Sequence, residues 1–227
     1  MPRVSAEEKE ALKNREHRRF ARVLERLGRK PDAVIDVGVR RGTPWLYKIY
    51  AAAKFVLVDP QKGGEKLMTD WPERDYVFVN KAAGRAPGRM MLNEQGAMST
   101  FLERTELTRV RTKRRYKAEI TTLDNIIAEH LPDAERIGLK IDTEGFELEV
   151  LAGLSEYTGR IDFVLTEASV LNRFKDSYNF SELVCELWSK GFRFYNILGN
   201  NKPAAPRVYD CLFFPKDDPA FDASERG

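Results

Sequence analysis

Residues 137–154 read IGLKIDTEGFELEVLAGL, and the reading of this stretch decides the fold. Ile137, Leu139 and Ile141 form a short β-type run. Two carboxylates follow, Asp142 and Glu144, and the run breaks at Gly145. Beyond the glycine the period changes, because Phe146, Val150, Leu151 and Leu154 recur at helical spacing. The stretch therefore reads strand, acidic turn, helix. Glu144 and Glu147 suit the start of a helix, where acidic side chains are stabilising, so alone they do not require a site. Asp142 is different. It falls at the carboxyl end of a strand, where ligands of open α/β sheets gather.

The same pattern recurs upstream. Ala33 to Val37 (AVIDV) is a nearly continuous apolar run, as expected of a strand buried on both faces. Gly38, Val39, Arg40, Arg41 and Gly42 follow it. Thr43 suits a helix cap and Pro44 a first helical position. Leu46, Ile49, Tyr50 and Ala53 then supply the core face of a helix. Arg40 stands where a dinucleotide fingerprint has its second glycine. That glycine lets the backbone approach a pyrophosphate, so its absence counts against NAD, whereas a ligand without phosphates tolerates arginine. Phe55 to Val58 is the next strand. It ends at Asp59, about twenty residues after Gly38, where an acidic side chain can accept hydrogen bonds from ribose hydroxyls. A simple Asp-Pro turn is the plainer alternative.

Tyr76 to Asn80 is a third strand, and the alternation to this point implies a parallel sheet. Lys81 to Asn93 reads as a turn and a short extra strand, and Glu94 to Leu102 as a polar loop carrying Ser99 and Thr100. Arg109 to Lys117 (RVRTKRRYK) holds six basic residues in nine. It suits a solvated loop or edge strand, or a surface that receives an anionic substrate or phosphate backbone. Glu119 to Leu123 is a short strand, with Asp124 as cap of a helix from Asn125 to His130. Ile161 to Thr166 is a buried strand ending at Glu167. A helix follows from Tyr178 to Lys190, with Leu183, Val184, Leu187 and Trp188 inward. Phe192 to Leu198 and Tyr209 to Phe214 close the chain as an antiparallel pair. Near the start, Leu12, Phe20, Val23, Leu24 and Leu27 make the stripe of a charged helix over residues 5–28. The expected organisation is an N-terminal helical extension (1–30), one α/β domain (31–216) and a polar, frayed tail (217–227).

Composition narrows the chemistry. The chain has 227 residues, 42% hydrophobic and 32% charged, with a net charge of +3. That suits one soluble α/β domain and is too weakly basic to argue for nucleic acid. No apolar run approaches a membrane span and no secretory signal is visible, so a cytoplasmic setting is expected. Cys185 and Cys211 read as buried free thiols. His17 and His130 are the two histidines, and neither stands at a strand end, which argues against a Ser-His-Asp triad. A two-histidine zinc motif, a CxxC pair and a phosphate loop are all absent from the sequence.

Three segments now align: Ile35-Asp36-Val37-Gly38 with Gly42; Val58-Asp59; and Lys140-Ile141-Asp142-Thr143-Glu144-Gly145-Phe146-Glu147, followed by Val150-Leu151-Ala152-Gly153. Together they resemble the S-adenosylmethionine-dependent methyltransferases, and more narrowly the FkbM-type O-methyltransferases, whose hallmark is K-I-D-x-E-G-x-E and then V-L-x-G. The similarity runs roughly from Ala33 to Glu167. At Val39-Arg40-Arg41 the chain departs from the small residue and Asn usual in the family.

The resemblance implies a Rossmann-like class I methyltransferase fold: a mostly parallel seven-stranded sheet with an antiparallel C-terminal hairpin, here with an added N-terminal helix. It implies S-adenosylmethionine as cofactor, bound by Asp36, Gly38, Gly42, Thr43, Asp59 and Asp142. The carboxylate of its methionine part is expected at the helix N-terminus at Thr43. It also implies a small-molecule hydroxyl acceptor, a sugar or natural product. Asp142, Glu144 and Glu167 are the candidate catalytic residues, as general base or as anchor of the acceptor. Mg²⁺ is a less favoured addition, because clustered carboxylates bind it only in a suitable geometry. A methyltransferase acting on RNA or protein, and an NAD-binding oxidoreductase, are the alternatives. No membrane association is expected, nucleic acid is disfavoured, and a homo-oligomer is left open.

Overall fold

The computed structural model describes residues 21–72, 75–108, 110–199 and 207–222. Its main sheet has seven strands in the order β3-β2-β1-β7-β8-β10-β9. β1 (Ala33–Val37) is buried along its whole length. It lies between two parallel neighbours, β2 (Lys54–Val58) and β7 (Ile137–Ile141). β3 (Tyr76–Val79) extends one side, and β8 (Ile161–Ser169) extends the other. β9 (Phe192–Gly199) and β10 (Val208–Pro215) form the antiparallel pair, with β10 against β8. The strand order therefore reverses at β1, and the crevice between the carboxyl ends of β1 and β7 is the topological switch point.

Two apolar layers cover the sheet. On one face α4 (Leu123–His130), α5 (Glu147–Ala152) and α6 (Phe180–Ser189) contribute Ile127, Val150, Leu151 and Leu187. On the other, α1 (residues 21–26) and α2 (Pro44–Ile49) contribute Leu24, Leu46 and Tyr47, and α3 (Gly64–Leu67) follows β2. Among the described residues no helix is long and apolar enough to cross a membrane.

A second sheet, β4-β6-β5, is inserted between β3 and β7. It comprises β4 (Ala82–Ala83), β5 (Gly88–Glu94) and β6 (Arg114–Thr121). β6 begins inside the basic stretch, earlier than the strand expected from Glu119. Its alternation explains this: Ala118 and Ile120 are buried while Arg115, Lys117 and Glu119 face out. Arg109 lies outside the described residues.

Several local expectations shift. Thr122, not Asp124, caps α4, accepting from the Asn125 N–H at 3.0 Å. Asp124 instead accepts from the backbone of Ser155 and Glu156. α6 starts at Phe180 because Asn179 and Glu182 form a reciprocal capping box. Trp188 points outward, with the Lys216 ammonium 4.1 Å from its ring. Cys185 is exposed and only Cys211 is buried, where burial pushes its thiol up to about 12. Residues 217–222 do not fray: Asp218 pairs with Arg29, and Phe221 packs edge-on against Tyr195 and Phe214. Residues 5–20 of the expected N-terminal helix, with Leu12, His17 and Phe20, lie outside the described residues.

Candidate active site

Register builds the site. Val37 pairs with Val58 on one side and Ile141 on the other, so Gly38, Asp59 and Asp142 leave the sheet level with one another. The Gly38 N–H donates to the Val58 carbonyl at 2.8 Å, and the Asp142 N–H to the Val37 carbonyl at 3.0 Å. Gly38 has φ +83°, and a Cβ there would collide with the Asp142 carbonyl oxygen. The glycine is thus required by the close approach of two strand ends. One strand further, Ile141 pairs with Thr166, which sets Glu167 beside Asp142.

The ends of β1, β2 and β7 open on a cavity lined by Gly38, Asp59 and Asp142. The second sheet and the loop between β5 and β6 form the opposite wall, with Ala83, Leu92 and Phe101. Phe101 lies against Phe146, ring centroids 5.0 Å apart. Asp59 lines the cavity although it is only 3% exposed. Its two oxygens accept the backbone N–H groups of Arg40 and Gln61, each at 2.8 Å. Burial raises its pKa, and the two backbone bonds pull the other way. A carboxylate has about four lone-pair sites, so the two backbone bonds do not exhaust its capacity to accept from a ligand.

The acidic turn is held by a residue from its own helix. Glu147 is fully buried, and one of its oxygens accepts the N–H groups of Thr143 and Gly145 at 3.0 and 3.1 Å. Its other oxygen accepts the Tyr178 hydroxyl at 2.6 Å. Glu144, which lines the cavity, is thereby kept at φ +55°. The buried Thr100 hydroxyl donates to the Glu144 carbonyl at 2.8 Å.

The profile of the family described as Methyltransferase FkbM domain matches residues 36–194. The chain belongs to that family. The match runs from Asp36 in β1 to Phe194 in β9 and takes in both walls of the cavity. No curated protein matches the chain. Solved structures that resemble it at low sequence identity include methyltransferases. The S-adenosylmethionine-bound magnesium protoporphyrin IX methyltransferase from Synechocystis PCC 6803 superposes with a TM-score of 0.50 at 11% identity, over 95% of this chain and 86% of that one. The ribosomal protein L11 methylase from Lactobacillus delbrueckii subsp. bulgaricus gives 0.44 at 14% identity, over 87% and 77%. The first of these likenesses shows the fold, a mostly parallel Rossmann-like sheet ending in an antiparallel hairpin.

Within this FkbM domain the three candidate catalytic carboxylates differ in their surroundings. The Glu144 side chain takes the Arg104 guanidinium at 3.1 Å and Arg173 at 3.5 Å. Glu167 takes Arg173 at 2.9 Å. Burial raises the pKa of both, most strongly at Glu167, where Asp142 adds to the rise and Arg173 opposes it. Phe174 lies under both guanidinium groups, 4.6 Å from Arg104 and 5.2 Å from Arg173. Asp142 is the most open of the three, 44% exposed, with Lys140 at 3.8 Å. Among the described residues no group of three or more His, Cys, Asp or Glu side chains could hold a metal ion.

The expected cofactor residues divide. Gly38, Asp59 and Asp142 line the cavity; Asp36, Gly42 and Thr43 are not in its lining. Asp36 is fully buried between the Tyr47 hydroxyl at 3.0 Å and the Lys140 ammonium at 2.9 Å, because Asp36 and Lys140 face each other across β1 and β7. Lys140 lies under the strand ends. Burial lowers its pKa, but Asp36 and Asp142 raise it further, so it stays charged. Gly42 has φ +107° and packs on the backbone of Asp70. Thr43 sits at the start of α2, but its hydroxyl caps nothing. Sequence reasoning missed Arg104 and Arg173, and it left Arg40 without a function. Arg40 lines the cavity.

Proposed function

We propose that this methyltransferase uses S-adenosylmethionine to methylate a hydroxyl of a small molecule, a sugar or natural product. The observation that carries the reading is the level exit of Gly38, Asp59 and Asp142 into one cavity at the switch point. The residues present fit the cofactor. Asp59 has lone pairs left for ribose hydroxyls, and Ala83, Leu92 and Phe101 offer an apolar slot for a base. Gly38 keeps the floor low. S-adenosylmethionine, when bound, supplies an electrophilic methyl carbon on a sulfonium.

The chain's own residues then do three things. The two walls position the reactants, and alignment of this kind is worth roughly 7–11 kcal/mol of a barrier. Asp142, the open carboxylate, accepts the proton of the attacking hydroxyl, a role worth roughly 10²–10⁴-fold. Glu144, which lines the cavity and is fixed by Arg104 and Arg173, presents carboxylate oxygens to further hydroxyls of the acceptor, and Glu167, inside β8 and outside the lining, holds Arg173 in place. Arginine in place of the second fingerprint glycine disfavours NAD.

The test is incubation with methyl-labelled S-adenosylmethionine and a panel of sugars and hydroxylated natural products, read by mass spectrometry. One acceptor should gain a single labelled methyl on oxygen. Asp142→Asn should lower kcat by about 10²-fold or more. Label appearing in RNA or protein, and in no small molecule, would overturn the acceptor class.

A further inference from the structure

Arg40 is the only cationic residue among the described residues that line the cavity. Its backbone is in the left-handed region, at φ +51°. Non-glycine residues are uncommon there, and glycine would take the same conformation without strain. The backbone N–H is already used, donating to Asp59. The guanidinium crosses to the opposite wall, since a Cβ built on Gly96 would lie 3.8 Å from Arg40 Nη2. No ion pair or hydrogen bond is made by that guanidinium among the described residues. Burial and the neighbouring Arg41 lower its pKa, and Asp59 opposes them. The other charged residues of the lining are the carboxylates Asp59, Asp142 and Glu144.

This charge pattern matches an amino acid joined to a nucleoside. S-adenosylmethionine carries one anionic group, its α-carboxylate, and two cationic ones, the ammonium and the sulfonium. Asp59 is placed for the ribose and Asp142 offers negative charge to the cations, while Glu144 is already paired with Arg104 and Arg173. The carboxylate is left with one cationic side chain on the cavity wall. Thr43 is out of the lining.

We propose that Arg40 binds the α-carboxylate of the cofactor's methionine part, and that this is why arginine occupies a left-handed position where glycine would be unstrained. The inference rests on the proposed cofactor. It assigns to one side chain the discrimination between the amino-acid cofactor and nucleosides that lack its carboxylate.

The experiment titrates S-adenosylhomocysteine and 5′-methylthioadenosine, which lacks the amino-acid carboxylate, into the wild type, Arg40→Gln and Arg40→Gly by calorimetry. Both variants should bind S-adenosylhomocysteine about tenfold to a hundredfold more weakly. Both should bind methylthioadenosine as the wild type does, which also reports an intact fold. Equal weakening of both ligands, or no weakening of S-adenosylhomocysteine, would overturn the role of Arg40 and leave the cofactor reading standing. A wild type that binds neither ligand would overturn both.

Discussion

Burial drives the Glu167 carboxyl well above the usual carboxylate range, Asp142, Glu144 and Asp210 add to it, and Arg173 opposes it. The folded protein therefore holds this proton more tightly than the unfolded chain does. The stabilisation is complete below the unfolded value of 4.5 and is lost as pH rises through the higher folded value. Urea denaturation of the wild type and Glu167→Gln across that range should show the wild type losing stability relative to the variant as pH rises. A difference that stays constant with pH would contradict the assignment. Asp142 follows the end of β7 as its sequence position suggested, but Glu167, expected at a strand end too, lies inside β8, which runs on through the buried Ala168 and Ser169. Arg104 and Arg173 were not legible in the sequence. Each lies in a loop of ordinary polarity, and only the folded chain brings them to carboxylates at Glu144 and Glu167. The same holds for Asp36: its place in the motif was plain, but its burial against Lys140 depends on the pairing of β1 with β7.

The strand, turn and helix of residues 137–154 form one element held by Glu147. Glu147→Ala would leave the Thr143 and Gly145 N–H groups and the Tyr178 hydroxyl without their acceptor. Buried groups left unpaired cost about 1–3 kcal/mol each, so Glu147→Ala should destabilise by about 3 kcal/mol or more in equilibrium unfolding. Tyr178→Phe removes the short bond to Glu147 and the longer one from the Ser169 N–H, and should cost about 1–3 kcal/mol. A Glu147→Ala protein within about 0.5 kcal/mol of wild type, the range of neutral surface changes, would contradict this account. The periodicity change at Gly145 was enough to read the element. It was not enough to read the inserted sheet, whose β4 is two residues long and whose β6 hides its buried alternation among arginines and lysines. Trp188 misled for a related reason: it lies next to the buried Leu187, yet its helix turns it outward.

At the scale of the molecule, the parallel sheet, its reversal at β1 and the closing hairpin follow from alternating strands and helices and a short final connection. Those features rest on period and order, which sequence carries directly. The wall facing the strand ends comes from an insertion of less regular pattern, and with it comes the shape of the cavity. The central claim is that an S-adenosyl nucleoside lies across the ends of β1, β2 and β7, with its ribose on Asp59. Calorimetric titration of S-adenosylhomocysteine into the wild type and Asp59→Asn tests it most directly. The account predicts one ligand per wild-type chain, at least about tenfold weaker binding in the variant, and no binding of NAD. A wild type that takes up NAD and not S-adenosylhomocysteine would contradict it.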